Sequence, residues 1–422
     1  MSCRVTCRLL PTAVFPFLAP MAQPWAQQVR DSAGVQIVDN TRPLLSAAQT
    51  WRVDPDPMIS IGGISPDGDS LFEFALIMGV SRLSDGRFAV GVQGSHAVRF
   101  YDARGSFVGS AGRKGEGPGE FQQIMGTRVI RGDTIFVSDQ GQVEYFTADG
   151  RFARQGASRA RGPGFVWPAV PLHDGSYLGV HYGPPSGTPP PAGRSRYQRT
   201  VVRVSRDGQQ VDTVGSLASE EQIFDGRQAF GTQIVFSRGG VLAGDEERLF
   251  LGDGARSEIL EYTITGAPTR VVRLPRSPRR VTNEARNAYR EYVRTSPGED
   301  GRPMPPAMRA RFDQMLERTT FADEFPYFGD LIVDRTGHLW AQQYDYRSVF
   351  RTPGPVRTHT LPVASHWNVF DRAGRWLCTV DLPARFTPSE IGTDYVAGMA
   401  RDTDDVEQVR VYRLRKPQGG AR

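Results

Sequence analysis

One phrase of alternating hydrophobic and polar positions recurs along the chain. An apolar residue, a variable one and an apolar or aromatic one run into a short polar turn ending in Gly. It reads Val98 to Gly105 (VRFYDARG), Val143 to Gly150 (VEYFTADG), Val201 to Gly208 (VVRVSRDG), Ile259 to Gly266 (ILEYTITG) and Trp367 to Gly374 (WNVFDRAG). A sixth copy, Val409 to Tyr412, lacks the turn because the chain ends. Side chains alternate across a strand, so Val98 and Phe100 share one face, and Arg99 and Tyr101 the other. Asp and Gly in the turn then direct a hairpin. A second strand follows each turn, for example Arg151 to Arg154 or Arg375 to Val380.

A partner phrase of strand, turn and strand precedes each copy. Arg82 to Val90, Arg128 to Val137, Pro171 to Val180, Val241 to Leu251 and Ile332 to Trp340 carry it, and Ile391 to Ala400 less clearly. Two hairpins per unit make four strands, at a period of roughly 40–50 residues. The pattern predicts an all-β chain, a six-bladed β-propeller of four-stranded blades over 27–417. Radial packing covers the apolar faces that a lone sheet leaves open. A pair of stacked β-sandwiches is the alternative. The strand Val35 to Val38 is expected to close the ring against the last blade.

Two stretches break the period. Residues 183–196 are a Pro/Gly-rich loop, expected to be mobile. Residues 276–326 are a helical insertion between late blades. In its first helix Ala285, Tyr289, Tyr292 and Val293 share a face behind a Thr282 cap; in its second Met308, Phe312 and Met315 share one after Pro305 and Pro306. Ser296 to Pro303 separates them.

The formal charge of +5 comes almost wholly from arginine, with acids interspersed. That is a mixed solvated surface, which excludes a basic stripe for nucleic acid. Residues 1–26 read as a signal peptide: Arg4 and Arg8, then an apolar run from Leu9 to Met21, then Ala22 and Ala26. The run is short for a bilayer span and holds Pro11, Pro16 and Pro20. No other transmembrane segment is expected, and the protein is expected to be exported, periplasmic or extracellular. Cleavage would leave one cysteine, Cys378, read as a small buried hydrophobe.

These segments resemble bacterial six-bladed β-propeller proteins related to NHL-repeat proteins. The likeness is carried by Ser32 to Asn40, Arg82 to Val90, the FYDARG turn, Gly112 to Phe121 (GRKGEGPGEF), Gly132 to Asp139 and Asp334 to Trp340, and covers roughly 32–415. It implies a fold and an exported location, and little chemistry. Related propellers include metal-dependent lactonases and lyases, whose ligands come from inner strands of separate blades.

The Gly112–Phe121 block exposes backbone amides beside Arg113 and Lys114, with Glu116 and Glu120 in the same loop, and such a loop suits an anion. It lacks the spacing of a phosphate-binding loop. The reading favoured by composition is an inter-blade connection whose glycines allow close packing while Phe121 anchors the next blade. Aromatics cluster at Phe325, Tyr327, Phe328, Trp340, Tyr344 and Tyr346. They either join the insertion to a blade or form a patch over the propeller face, where Trp340 and Tyr344 would meet a ligand. The six histidines form no metal-binding spacing, and no nucleophile elbow is present. No cofactor is expected. The reading is a monomeric, non-catalytic module that binds or scaffolds a protein or small-molecule ligand. A metal-assisted hydrolase or lyase acting in the propeller channel is the alternative.

Overall fold

The computed structural model describes residues 26–64, 73–139, 142–157, 165–182, 190–227, 231–295, 305–347 and 363–417. The expected signal peptide, apart from Ala26, lies outside them, as do 183–189 of the Pro/Gly-rich loop and Ser296 to Pro303 between the helices.

Six antiparallel four-stranded units follow one another along the chain. Sheet 1 comprises Ile77–Arg82, Phe88–Val92, Ala97–Tyr101 and Phe107–Ala111. Sheet 2 comprises Ile124–Ile130, Thr134–Asp139, Gln142–Phe146 and Phe152–Ala157. Sheet 3 comprises Phe165–Pro171, Tyr177–Tyr182, Gln198–Val204 and Val211–Ala218. Sheet 4 holds Gly240–Gly244, Arg248–Asp253, Glu258–Thr263 and Pro268–Arg273, extended at its edge by Val35–Asn40 and Gln27–Ser32. Sheet 5 comprises Phe328–Val333, Leu339–Gln343, Ser365–Phe370 and Trp376–Leu382. Sheet 6 comprises Phe386–Ile391, Tyr395–Arg401 and Glu407–Arg415, and its fourth strand, Arg52–Ile61, comes from near the other end of the chain.

Every copy of the recurring phrase is the third strand of its unit. Its two faces enter two different cores: Val98 and Phe100 pack with Ile135 and Phe146 of sheet 2, while Tyr101 packs with Tyr395 and Val409 of sheet 6. The same division holds throughout. Further apolar clusters lie between sheets 2 and 3, 3 and 4, 4 and 5, and 5 and 6. The turns are built as their residues predict. In the first, Asp102 Oδ1 accepts from the backbone N–H of Arg104 and Ser106, and Gly105 takes a φ of +91° that side chains disfavour.

The N-terminal segment departs from expectation. Val35–Asn40 pairs in parallel with Pro268–Arg273 of sheet 4 and does not meet the last sheet. Leu44 and Leu45 then donate backbone N–H groups to Trp376 and Leu377 on the edge of sheet 5, both at 2.9 Å. Only Arg52–Ile61 completes sheet 6. Pro55 and Pro57 hide that strand in the sequence. Prolines are tolerated there because the strand lies at an edge, with register shifts around its pairing with Tyr412 and Leu414.

The insertion forms helices Asn283–Thr295 and Pro306–Glu317. Ala285, Tyr289 and Val293 of the first are buried, and the Ala285 N–H donates to the Thr282 hydroxyl at 3.2 Å, as expected. The second helix differs: Met308 and Met315 are exposed and Leu316 is its buried residue. A methionine pattern is a weak guide to the packed face, because the thioether chain tolerates either setting. Of the Pro/Gly-rich stretch, Gly193–Ser195 is a short strand paired with Gln222–Phe224, so its end is ordered sheet and not loop.

Candidate functional site

The first strands of the units stand next to one another. Ile77–Arg82 packs on Ile124–Ile130, that strand on Phe165–Pro171, then Gly240–Gly244, Phe328–Val333 and Phe386–Ile391, which packs again on Ile77–Arg82. At the leading ends of these strands lies a cavity of about 630 Å³. Its walls include Met78, Trp167, Val241, Asp330 and Thr387, one from each of five first strands. Tyr344, Asp345, Ser365 and Trp367 of sheet 5 and Arg385 add to them, and Phe236 and Tyr289 cover one side.

That cover is the helical insertion and the segment facing it. Phe236 contacts Tyr289, Phe321 and Phe325 edge-on or tilted, with ring centroids 5.3–5.9 Å apart. Phe325 stacks on Tyr346 at 5.6 Å, and the Arg279 guanidinium donates to the Tyr344 carbonyl at 3.1 Å. Of the two roles weighed for these aromatics, joining the insertion to sheet 5 accounts for Phe325, Tyr344 and Tyr346. Tyr344 also lines the cavity. Ion pairs centred on the buried Glu221 tie the cover down. Glu221 accepts from Arg238 at 2.9 Å and Arg194 at 3.3 Å, and these arginines reach on to Glu324 and Asp323, both at 3.2 Å.

Charged groups in the wall are mostly paired. Glu220 accepts from Arg199 at 2.5 Å, whose guanidinium lies 4.3 Å from the Tyr182 ring centroid. Burial opposes ionisation of Asp345, but hydrogen bonds from Arg347 outweigh it and hold the carboxyl below its usual range. Arg385 donates to the Asp402 carbonyl at 3.2 Å. Trp167 and Phe165 lie two apart on the first strand of sheet 3, and both are exposed, at 38% and 47%. Phe165 stacks on Tyr182 at 5.4 Å. The wall thus combines apolar and aromatic surface with a few fixed polar groups, the usual make-up of a small-molecule site.

Of the six residues singled out in the sequence, only Tyr344 borders this cavity. Arg113 and Glu120 form an ion pair at 2.7 Å within the loop between sheets 1 and 2. Glu120 also accepts the Gly117 N–H at 3.0 Å, and Glu116 accepts from Gln122 at 2.7 Å. Lys114 makes an isolated parallel bridge to Phe121. The loop is an inter-sheet connection of the kind its composition favours. Phe121 is fully buried, and a Cβ on Gly112 (φ +84°) would lie 2.2 Å from its ring. Trp340 is also fully buried, its indole N–H donated to Asp334 at 3.1 Å, so it packs in a core and does not face the cavity.

Trp167, Phe236, Asp330 and Arg385 went unnoticed. The Phe165, Trp167 alternation at the start of sheet 3 is a legible signal; the others have none, because their meeting depends on how the sheets are arranged. Among the described residues, no group of three or more His, Cys, Asp or Glu is placed to hold a metal ion. No described helix is long and apolar enough to cross a membrane.

No family model and no curated protein matches the chain. Solved structures do. A member of the duf4221 family from Bacteroides vulgatus superposes over 87% of this chain and 99% of its own, at 8% identity and a TM-score of 0.54. A gluconolactonase from Xanthomonas campestris covers 88% and 99% at 13% identity and a TM-score of 0.42. Virginiamycin B lyase from Staphylococcus aureus covers 85% and 98% at 8% identity and a TM-score of 0.40. At such identities the likeness is one of fold alone; the successive four-stranded antiparallel sheets of this chain are themselves of β-propeller type.

Proposed function

We propose that the chain is an exported six-bladed β-propeller that binds a small molecule in the cavity beneath its helical insertion, without catalysing a reaction. Six blades are supported by the six apolar clusters between successive sheets, the last shared by sheets 6 and 1. They are supported too by first strands whose contacts return to their start. Export rests on the character of residues 1–26.

Binding rests on one observation: a cavity of about 630 Å³, walled by first strands of five units and covered on one side by a tied insertion. A packed hub would need no such space. The size suits a ligand of drug-like or metabolite dimensions. The paired state of Glu220, Asp345 and Arg385 supports recognition over acid–base chemistry, which needs a group poised to exchange protons.

Saturation-transfer NMR with a library of small aromatic compounds tests this on the chain from residue 27 onward. Compounds should bind, and Thr387→Trp, which projects an indole into the cavity, should abolish binding while leaving the fold intact. A library without a binder, or binders indifferent to Thr387→Trp, would contradict the reading.

A further inference from the structure

Gln342 brings a side-chain amide to the cavity wall and leaves it without a partner. It stands on the second strand of sheet 5, lines the cavity and is only 9% exposed. A carboxamide offers two N–H donors and an oxygen that accepts. The Gln342 carboxamide makes no hydrogen bond with a described residue. A polar group buried in that state has given up water without replacement, which costs free energy until something pairs with it.

Its position is fixed by the strand beside it. A Cβ on Gly329 would lie 2.6 Å from Gln342 Oε1. Gly329 belongs to the first strand of sheet 5 and is itself a wall residue. The amide end thus takes the space that a side chain at 329 would fill. Trp367 stands opposite Gln342 in the sheet, and Ser365 lies two residues before Trp367, so the three share a face. Both line the cavity. Ser365 Oγ accepts the Trp367 indole N–H at 3.0 Å, while its own hydrogen meets no acceptor among the described residues. Phe328, Tyr344 and Phe386 add aromatic surface to the wall.

These groups decide the chemistry of an occupant. A carboxylate brings acceptors alone and an ammonium donors alone, so either leaves half of the Gln342 amide unpaired. An edge that sets a donor beside an acceptor satisfies both halves. The nearby carboxylates do not call for a cation: Glu220 already holds Arg199 at 2.5 Å, and Asp345 holds Arg347 at 2.7 Å.

We propose that Gln342 is the polar recognition group of the cavity, and that the ligand is a neutral planar molecule with a primary carboxamide or lactam edge. That edge pairs with Gln342 while the ring lies against the aromatic wall. This rests on the ligand-binding reading given above and names the ligand class for the same cavity.

Naphthalene carboxamide and the isosteric naphthyl methyl ketone, titrated against the native chain, Gln342→Met and Gly329→Ala, provide the test. The ketone keeps the shape and the acceptor and lacks the donor. The native chain should bind the amide about tenfold more tightly, the effect of one buried hydrogen bond. Gln342→Met should remove the preference and leave ketone binding unchanged. Gly329→Ala, which displaces the amide end of Gln342, should reduce the preference as well, an independent reading if Gln342→Met fails to fold. Equal binding of amide and ketone by the native chain, or a preference that survives Gln342→Met, would overturn the role of Gln342 and leave the cavity as a binding site. No binding of either compound would overturn both.

Discussion

Asn40 binds Trp376 across the outer edges of two sheets. The backbone N–H of Trp376 donates to Asn40 Oδ1 at 2.8 Å, and the Asn40 amide donates to the carbonyls of Gly374 at 3.1 Å and Arg273 at 3.2 Å. One buried side chain thus fixes the N-terminal hairpin, sheet 4 and sheet 5 together. Asn40→Ala would take this partner from the part-buried Trp376 N–H and Arg273 carbonyl and from the buried Gly374 carbonyl. The expected loss is about 1–3 kcal/mol in urea unfolding, and the Gln27–Asn40 hairpin should become protease-sensitive. Unchanged stability would mean that the hairpin adds nothing to the core fold.

The strand Arg52–Ile61 supplies the outer strand of sheet 6. Removing it by starting the chain at residue 62 would expose the Glu407–Arg415 edge and the apolar surface around Ile61. An unpaired edge of that length invites pairing with another chain. The truncated chain should unfold at lower urea, bind hydrophobic dyes and associate in size-exclusion chromatography. Native-like unfolding would show that sheet 6 stands without its fourth strand.

The repeat was legible because each third strand must serve two cores, which imposes alternation on both faces at once. Val98, Phe100 and Tyr101 display this directly. Arg52–Ile61 was not legible, because its prolines mask a strand that only its edge position allows. The cavity was legible only through Tyr344. Asp330 and Trp167 sit on strands far apart in sequence, and no local pattern records that they face a common space. Trp340 shows the converse: aromatic clustering in sequence pointed outward, while the residue went into a core.

Glu144 gives stability a pH dependence. It is fully buried under the loop between sheets 1 and 2, accepting from the Gly119 N–H at 3.2 Å and the Gln155 amide at 3.0 Å. Burial, helped by the charge of Asp139, raises its pKa to about 7 from an ordinary 4.5. The folded chain therefore holds a proton that the unfolded chain has released between those values. Stability falls as pH rises through that window, by up to about 3 kcal/mol. Glu144→Gln should flatten the slope of unfolding free energy between pH 5 and 8; an unchanged slope would assign it to other groups.

Cys378 is free and fully buried between sheets 5 and 6, and burial pushes its thiol up to about 11. Thiolate is the reactive form, so a neutral buried thiol should be inert. In the chain starting at residue 27, a thiol reagent at pH 8 should modify Cys378 only after denaturant is added. Rapid modification of the native protein would mean that the core between sheets 5 and 6 opens readily.

Glu221 holds the cover of the cavity through Arg194 and Arg238. Burial would raise its pKa, but hydrogen bonds and charge from Arg238, and then from Arg194, outweigh this and keep the carboxyl below its usual range. The two arginines carry the link to Asp323 and Glu324 at the end of the insertion. Glu221→Gln takes away the charge shared by both guanidinium groups and leaves them only the more exposed Asp323 and Glu324, at a local cost of about 1–3 kcal/mol. Because the pairs join the insertion to the segment before sheet 4 and not the sheets to one another, the loss should appear as local opening. Hydrogen exchange should accelerate in helix Asn283–Thr295 while strands of sheets 1 and 2 keep their protection. If exchange accelerates everywhere alike, the insertion is part of the cooperative fold. If it accelerates nowhere, the aromatic contacts of Phe236 and Tyr289 alone hold the cover in place.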